Sequence, residues 1–401
     1  MEKWNAFARG FTFQSAPWLF AETYVYRLIM DACSYFEKRI DPFRPQKLQA
    51  LVEAKQSIRK LGQLLKTITA NKRLVTAEEL TEMLYMNLWS NAGDLSRHPD
   101  GGHGTSILGS SSKMPEKVLI NDTAETQKLF ESFELCDEDK SNETVIILTD
   151  NCGIEIIKDM WLGEMLLASK LATKIEFHVK FHPTFVSDVI EDDINDTLFY
   201  ISNIEPELGK ILQKRIDTHH FEIFNHPYYN SFEGMWVMPL ELYIRYSNAR
   251  FVISKGDANA RRFHGDRAWE FTTPTEEVIS YFPSPLIIIR TFKSETVTGI
   301  TESIIKEFAH NMISNWYHSG EYGEIQLIYP PNSKYSIQRK KAYQIHKQHI
   351  RNSEEICLAS KTSNKRTAPN FSELIQPASS GSGCTRHELH FSKYFETPIS
   401  H

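Results

Sequence analysis

The sequence contains 401 residues, of which 41% are hydrophobic and 12% aromatic. This is enough apolar material for roughly two or three domains, or for one large domain with an appendage. The formal net charge of −6 argues against nucleic-acid binding by the molecule as a whole. The five cysteines include no Cys-x-x-Cys pair, which argues against a disulfide framework or a structural zinc site and favours a reducing compartment.

No apolar run in the sequence approaches the ~18 residues that are needed to cross a bilayer. The first residues, MEKWNAFARGFTF, lack the apolar core of a signal peptide. We therefore expect a cytoplasmic protein without a membrane partner, with the nucleus as the alternative location.

Residues 1–96 are predicted to form an N-terminal helical region. Apolar residues recur at helical spacing in APWLFAETYVYRLIMDACSYF (16–36) and again in AEELTEMLYMNLW (77–89), where Thr76 is the candidate N-cap. The next segment, residues 97–117, is rich in Gly and Ser, and its composition predicts a flexible linker.

From residue 118 onward, short β-branched runs alternate with helical stretches such as GIEIIKDMWLGEMLLASKLA (153–172). Strands that are apolar along their whole length predict an α/β domain over residues 118–330, with a mostly parallel sheet that is covered on both faces. The candidate strands are TVIILT (144–149), IEFHVKF (175–181), ARFVIS (249–254) and PLIIIRT (285–291).

Residues 331–401 are predicted to form a basic and largely disordered tail. From residue 333 to the end there are 11 Lys and Arg against 5 Asp and Glu. The tail is therefore a candidate interaction arm for an acidic partner or RNA.

A polar cluster follows each of the four candidate strands. Ligands of open α/β sheets bind beyond the carboxyl ends of the strands, so these clusters are expected to meet at one edge. Asp150 and Asn151 follow the first strand, and Asp188 follows the second. All three offer only hard oxygen ligands, which suit Mg²⁺ or Mn²⁺.

The later clusters supply cations, namely Lys255, Arg261, Arg290 and Lys293. Such side chains clamp phosphate oxygens, and a dication beside them is the arrangement expected for phosphoryl transfer or hydrolysis. Each cluster taken separately also has a structural interpretation, such as turn chemistry or helix capping. Their joint occurrence after successive strands favours a phosphate site.

Six stretches in matching order carry a family resemblance over roughly residues 14–328. They are SAPWLFAETYVYR (15–27), TDNCGIEIIKDMWL (149–162), KFHPTFVSDV (180–189), SKGDANARRFHGDRAWEFTTP (254–274), IIIRTFKSETVTGI (287–300) and WYHSGEYGEIQ (316–326). The sequence resembles the metal-dependent damage-control phosphatases, long known only as a domain of unknown function. The third subfamily, which includes proteins also called acidic-residue methyltransferases, is the better match.

The resemblance implies a three-layer α/β/α domain beside an α-helical domain, and metal-dependent hydrolysis of sugar phosphates such as fructose 1-phosphate or of damaged phosphometabolites. It implies that Asp150, Asn151 and Asp188 bind the metal, with Mn²⁺ or Mg²⁺ as cofactor and Co²⁺ or Ni²⁺ as alternatives. The implied contacts to the phosphorylated small-molecule substrate are Asp150, Asn151, Asp257, Ala258, Asn259, Ala260, Arg261 and Lys293. Fewer residues than is usual precede the first stretch, which indicates a truncated helical domain, and Ala260 stands where the family usually has a tyrosine.

The catalytic hypothesis assigns four residues. Asp150 binds the metal that activates water, Arg261 and Lys293 neutralise charge on the phosphoryl group, and Asp257 orients the water or passes a proton, with turn geometry as its alternative role. Glu155 would support the site from behind. The alternative activity is S-adenosylmethionine-dependent methylation of protein carboxyl (glutamate) groups, for which the sequence offers no Gly-rich loop after the first strand.

Overall fold

The structure is a computed structural model that describes residues 15–71, 74–90, 117–136 and 142–328. Its centre is a seven-stranded sheet with the strand order β1-β7-β6-β5-β2-β3-β4. The strands are β1 (Val118–Asn121), β2 (Thr144–Leu148), β3 (Lys174–Val179), β4 (Phe221–Asn225), β5 (Ala249–Lys255), β6 (Leu286–Thr291) and β7 (Gly323–Ile328).

Five neighbouring strands, from β6 to β4, run parallel to one another. Strand β7 is antiparallel to β6, and β1 is parallel to β7, so this pair runs against the other five. The prediction of a mostly parallel sheet is confirmed. The four candidate strands correspond to β2, β3, β5 and β6, whereas β1, β4 and β7 were not predicted.

Helices precede the sheet in the chain and alternate with its strands. The bounds are α1 (Trp18–Ala32), α2 (Tyr35–Lys38), α3 (Arg44–Glu53), α4 (Lys55–Asn71), α5 (Ala77–Ser90), α6 (Thr123–Ser132), α7 (Ile154–Ala168), α8 (Glu191–Ile204), α9 (Pro206–Asp217), α10 (Leu240–Asn248), α11 (Asp257–His264), α12 (Thr275–Val278) and α13 (Glu302–His310). None of the helices in the described ranges is long and apolar enough to span a membrane.

The sheet is the middle of three layers, because its two faces contribute to two separate hydrophobic cores. Successive side chains of a strand point to opposite faces. In β2, Val145 and Ile147 pack into a core shared with α5 and α7, while Ile146 and Leu148 pack into a second core shared with α10 and α11. The three-layer α/β/α arrangement is therefore confirmed.

The N-terminal helices pack in two different places. Helices α3 to α5 join the core of the α7 face, through residues such as Leu51 and Leu84. The start of α1 instead forms a small separate cluster, in which Leu19 and Phe20 pack with Phe185. As the sequence predicts, Thr76 caps α5 in a capping box: its hydroxyl accepts the Glu79 amide at 3.2 Å, and the Glu79 carboxylate accepts the Thr76 amide at 3.0 Å.

The boundaries that the sequence suggests between a helical region, a linker, an α/β domain and a tail stay predictions. Most of the linker (97–117) and all of the tail (331–401) lie outside the described residues.

Candidate active site

The carboxyl ends of β2 and β3 bring Asp150 and Asp188 side by side. The amide of Val189 donates to the Asp150 carbonyl at 2.9 Å, and the amide of Cys152 donates to the Ser187 carbonyl at 2.8 Å. These bonds form a short antiparallel bridge between Asn151 and Asp188. The loop that carries Asp150 is therefore hydrogen-bonded, in antiparallel orientation, to the loop that carries Asp188.

The loop before Asp188 holds two consecutive residues in the left-handed region. The φ angles are 48° at Phe185 and 65° at Val186, and neither residue is glycine. Such conformations cost on the order of 1–3 kcal/mol each and persist where the surroundings enforce them. The residues that follow, Ser187 and Val189, are hydrogen-bonded to the β2 loop, and Phe185 and Asp188 line the same cavity.

A close approach between two loops explains the glycine at position 256. Gly256 directly follows β5 and has a φ of 82°, and a Cβ atom built there would lie 1.9 Å from Asp150 Oδ2. Only glycine combines that backbone angle with that contact. Helix α11 begins at the next residue, Asp257, so its first turn lies close to the Asp150 carboxylate.

These loops and α1 enclose a cavity of about 250 Å³. The sequence-predicted site residues that line it are Asp150, Asp188, Asp257, Ala258, Arg261 and Lys293. The remaining lining residues are Trp18, Glu22, Tyr26 and Phe185, which the sequence did not single out as site residues. A volume near the lower end of the ~300–1,000 Å³ typical of ligand pockets suits a small metabolite.

Arg261 lies between two carboxylates on one wall. Its Nε donates to Asp257 Oδ2 at 2.9 Å and its Nη1 to Asp266 Oδ1 at 2.8 Å, while the guanidinium stacks 4.4 Å from the centroid of the Trp18 ring. Burial alone would lower the pKa of Arg261, but the two carboxylates raise it above its usual value. The guanidinium is therefore a fixed and permanently charged group.

Asp257 accepts hydrogen bonds on both carboxylate oxygens. Besides the bond from Arg261, its Oδ1 accepts from Arg290 Nη1 at 3.0 Å and from the Ser294 hydroxyl at 3.3 Å. Burial alone would raise the pKa of Asp257, but the positive charges of Arg261, Arg290 and Lys293 lower it to about 2. An oxygen pair that is so engaged and so acidic serves better to position arginines than to accept a proton.

Arg290, one of the four predicted phosphate-binding cations, does not line the cavity. It is fully buried and pairs across the β6–β7 ladder with Glu324, whose Oε1 lies 2.6 Å from Arg290 Nε. Its Nη2 donates to the Thr296 carbonyl at 2.7 Å, which ties down the loop that carries Lys293. Its role in the fold is to hold Asp257 and this loop.

Lys255 is the second predicted cation that lies away from the cavity. Its ammonium group donates to Asp159 Oδ1 at 2.8 Å and to Asn87 Oδ1 at 3.1 Å, below the sheet and against α5. Glu155 Oε2 lies 3.8 Å from it, and Glu155 Oε1 accepts from Asn151 Nδ2 at 2.8 Å. The predicted clamp thus reduces to Arg261 and Lys293, with Lys255 in a buried network behind Asn151.

Three further predicted residues lie beside the cavity without lining it. Asn151 turns its Nδ2 to Asp150 Oδ2 at 3.0 Å and accepts the Ser187 hydroxyl on Oδ1 at 2.7 Å. Asn259 donates to the carbonyl of Thr149 at 2.9 Å, and Ala260 on α11 is fully buried in the second hydrophobic core. Their roles as contacts to a metal or a substrate stay predictions.

Several site residues escaped sequence reasoning. Trp18, Glu22 and Tyr26 recur every fourth position on α1, a spacing that places them on one helix face. That spacing was visible in the sequence, but a helix face that packs into a hydrophobic core has the same spacing, so the pattern alone does not indicate a site. Lys180 was also missed: its buried ammonium lies 3.4 Å from Asp188 Oδ2, and burial lowers its pKa.

The oxygen donors that face the cavity fit a hard divalent cation. Within the ranges that the structure describes, no three His, Cys, Asp or Glu side chains converge as a metal cage. Two carboxylates do converge, from Asp150 and Asp188, with the Asn151 amide hydrogen-bonded beside the first. Mg²⁺-type ions are commonly held by only one or two carboxylates, with water and substrate phosphate oxygens completing the shell. The donor set therefore matches such an ion.

A parallel α/β sheet whose carboxyl edge sets two carboxylates against two cations is typical of an enzyme that acts on a small anionic ligand. The family model described as the damage-control phosphatase ARMT1-like domain matches residues 5–306 of this chain. The chain belongs to this family of phosphatases, and the resemblance seen in the sequence is confirmed.

Three curated relatives, each named damage-control phosphatase ARMT1, share about a third of their residues with the chain. The protein from Bos taurus is 32% identical over 333 residues, covering 79% of this chain and 75% of its own length. The Homo sapiens protein is 30% identical over 335 residues, with the same coverage. The Xenopus laevis protein is 31% identical over 329 residues, covering 78% of this chain and 74% of its own length.

Among solved structures, a DUF89 family protein from Pyrococcus horikoshii is similar to the chain. The TM-score is 0.36 at 16% sequence identity, and the alignment covers 73% of this chain and 76% of the other.

Proposed function

We propose that the protein is a metal-dependent phosphatase that hydrolyses sugar phosphates such as fructose 1-phosphate, or damaged phosphometabolites of similar size. The observation that supports this most directly is the shared cavity, in which Asp150 and Asp188 stand with Arg261 and Lys293. Membership of a damage-control phosphatase family points the same way.

The phosphate-binding wall consists of Arg261, Lys293 and the first turn of α11. The two cations would bind non-bridging phosphoryl oxygens and stabilise the charge that develops in the transition state. The free amides of a helix N-terminus also favour an anion, and Ala258 in the first turn of α11 lines the cavity. Hydrogen bonds from Arg261 to Asp257 and Asp266 hold that cation in place before a ligand arrives.

Asp257 positions this wall. Its two oxygens hold Arg261 and Arg290, and its pKa of about 2 keeps it ionised at neutral pH. We therefore assign Asp257 to orienting Arg261, in place of the water-activating or proton-transferring role that the sequence also suggested.

Asp150 and Asp188 are the residues that would hold the divalent cation, with Asn151 beside them. When bound, such an ion supplies Lewis-acid polarisation of a phosphate oxygen and a lowered pKa for a coordinated water. Lys180, behind Asp188, and Glu155, behind Asn151, would keep these side chains in their orientations.

The test is a phosphatase screen of the metal-stripped protein over phosphorylated sugars and damaged metabolites, with Mg²⁺, Mn²⁺, Co²⁺ and Ni²⁺ compared. We expect turnover only with an added dication. Asp150→Ala should lower kcat/KM by more than about 100-fold, since losing a ligand should exceed the loss of a supporting residue. The exposed Asp217→Ala on α9 is the control and should behave as the wild type.

Unchanged metal-dependent turnover in Asp150→Ala would refute the proposal. Titration with S-adenosylmethionine separates it from the methyltransferase alternative. Binding of the methyl donor without binding of a dication would favour that alternative.

A further inference from the structure

Helix α1 supplies a further wall of the cavity, which adjoins the phosphate-binding groups where Trp18 stacks on Arg261. Trp18, Glu22 and Tyr26 all line the cavity and follow one another at four-residue intervals. Residues spaced in this way lie above one another on one helix face. The wall therefore has a carboxylate in its middle and an aromatic ring on each side.

The position of this wall is fixed at its N-terminal end. The amide of Leu19, in the first turn of α1, donates to Asp266 Oδ2 at 2.7 Å, and the other oxygen of Asp266 accepts from Arg261 at 2.8 Å. The cation that faces the phosphate and the helix that faces the rest of a ligand thus share one carboxylate. The distance between Arg261 and the α1 wall is therefore fixed, and a ligand that contacts both must match it.

Aromatic contacts fix the wall along its length. The Trp18 ring stacks on Phe185, with centroids 5.2 Å apart and an angle of 17°, and the Tyr26 ring meets Phe185 edge-on at 5.3 Å. Aromatic pairs in such geometries add stability beyond their buried area. Glu22 lies between the two anchored positions, so its side chain projects from a rigid segment.

Glu22 differs from the other carboxylates of the cavity in its partners. Asp257 is held by two arginines, and Asp188 lies beside Lys180. No hydrogen bond or ion pair joins Glu22 to any residue in the described part of the chain, although Arg261 is close enough for its charge to act on it. Within the described ranges no donor therefore reaches Glu22, and a half-buried carboxylate that lines a cavity can accept hydrogen bonds from a ligand or from water.

We propose that Glu22 recognises hydroxyl groups on the carbon skeleton of the substrate. It thereby selects phosphate esters whose carbon skeleton is an uncharged polyol over phosphorylated carboxylic acids. The inference rests on the proposed phosphatase function. Charge-assisted hydrogen bonds from hydroxyls to a carboxylate are stronger than neutral ones. The same carboxylate repels an acidic ligand, so one residue both favours one class and rejects the other.

The experiment compares Glu22→Gln with the wild type on fructose 1-phosphate and 3-phosphoglycerate, at about pH 8 so that carboxyl groups are ionised. The measured quantity is kcat/KM for fructose 1-phosphate divided by kcat/KM for 3-phosphoglycerate. We expect the ratio to fall by about 10- to 100-fold, through a higher KM for the sugar phosphate and a lower KM for the acid, since hydrogen bonds to charged groups are worth this much. A ratio that stays the same, even if both rates fall, overturns the inference.

Two further variants guard the interpretation. Asp31→Asn neutralises an exposed carboxylate of the same helix outside the cavity and should leave the ratio at the wild-type value. Glu22→Asp keeps the charge and should continue to discriminate against 3-phosphoglycerate. If Glu22→Asp admits the acid as well as Glu22→Gln does, the charge is not the selecting feature and the inference fails.

Failure of the phosphatase proposal is recognised separately. If the wild type hydrolyses no phosphate ester with any of the four metals, that proposal fails, and the role of Glu22 is then judged by calorimetric binding of the same two compounds. A wild-type preference for the sugar phosphate that Glu22→Gln diminishes supports the inference. Equal Kd ratios in the two proteins refute it.

Discussion

At Asp257, burial and charge act in opposite directions on one carboxyl group. Burial favours the neutral acid, while two guanidiniums and an ammonium favour the carboxylate, and the charges prevail because the pKa is lowered to about 2. A carboxyl group whose pKa is lower in the folded than in the unfolded chain stabilises the fold above its unfolded pKa. This contribution is lost as the pH falls toward the folded pKa.

The first prediction concerns Asp257→Asn. At neutral pH the variant should lose about 3–5 kcal/mol of unfolding free energy, because it leaves the buried Arg290 without one of its charge partners. Relative to an unfolded pKa near 3.9, the shift to about 2 accounts for about 2–3 kcal/mol of this, which should fade between about pH 4 and pH 2. Urea unfolding at several pH values measures the difference.

The control for Asp257→Asn is Glu302→Gln, which removes an exposed helical ion pair worth at most about 0.5 kcal/mol. A difference between wild type and Asp257→Asn that does not shrink with acidification would show that Asp257 is not ionised in the fold.

The second prediction concerns Gly256. In Gly256→Ala the new methyl group would lie 1.9 Å from Asp150 Oδ2, so the carboxylate has to move. Displacement of a reacting group by about 1 Å costs on the order of 100-fold in rate, and we expect kcat to fall at least that far. Gly320→Ala is the matched control, since φ is 74° there and the residue lies in the loop before β7.

Gly320→Ala should lose about 1–2 kcal/mol of stability from its backbone angle and keep wild-type turnover. If the two variants lose turnover equally, the contact with Asp150 is not what requires glycine at position 256.

The position of a cation at the end of a strand does not show whether its side chain reaches the cavity, because that depends on the face of the sheet to which it points. Phe251 and Ile253 of β5 point to the α7 face of the sheet and pack into the core there. Side chains two residues apart in a strand point to the same face, so Lys255 also points to the α7 face, where it binds Asp159. Arg261 instead lies on the helix after that strand and turns to the cavity. The alternation of side chains along β5 could have predicted that Lys255 points away from the cavity, but only once it was known which face of the sheet packs against α7.

At the scale of elements, the strands in the middle of the sheet were predictable and those toward the edges were not. Central strands such as β2 are buried on both faces and are apolar after their first residue. Strand β4 is an edge strand with four of its five residues half-buried, β1 has only four residues, and β7 alternates Glu324 and Gln326 with apolar residues. Short and polar strands give too little periodicity to be told from loops.

Helix α1 offers the third prediction, because one carboxylate ties it to the rest of the site. Asp266→Ala should cost about 1–3 kcal/mol, through loss of the bond to the Leu19 amide and of a partner of Arg261. We expect KM to rise more than kcat falls, since α1 forms the wall that faces the substrate. Steady-state kinetics and thermal unfolding of the same preparation measure both effects.

Asp31→Ala is the comparison for this variant, because it removes an exposed carboxylate at the other end of α1. A kcat that falls while KM is constant would contradict the role of α1 as a binding wall. It would instead place Asp266 in the support of Arg261 alone.

At the scale of the whole molecule, the cavity draws its walls from distant parts of the chain. In the part of the chain that the structure describes, helix α1 contributes one side, and the segments after β2, β3, β5 and β6 contribute the others. The carboxyl ends of neighbouring parallel strands converge by geometry, which is why Asp150 and Asp188 could be expected to meet. No such rule connects α1 to this edge, so its position required the structure.

The last prediction separates the site from the basic C-terminal segment. Among the described residues, those that line the cavity lie from Trp18 to Lys293, and β7 ends at Ile328. A protein that lacks residues 333–401 should therefore keep kcat/KM for fructose 1-phosphate within about twofold, the ~0.5 kcal/mol range of changes made away from a site. If the segment serves an acidic partner, the shortened protein should elute from a heparin column at lower salt than the full chain. A large loss of turnover on truncation would instead mean that these residues take part in forming or covering the active site.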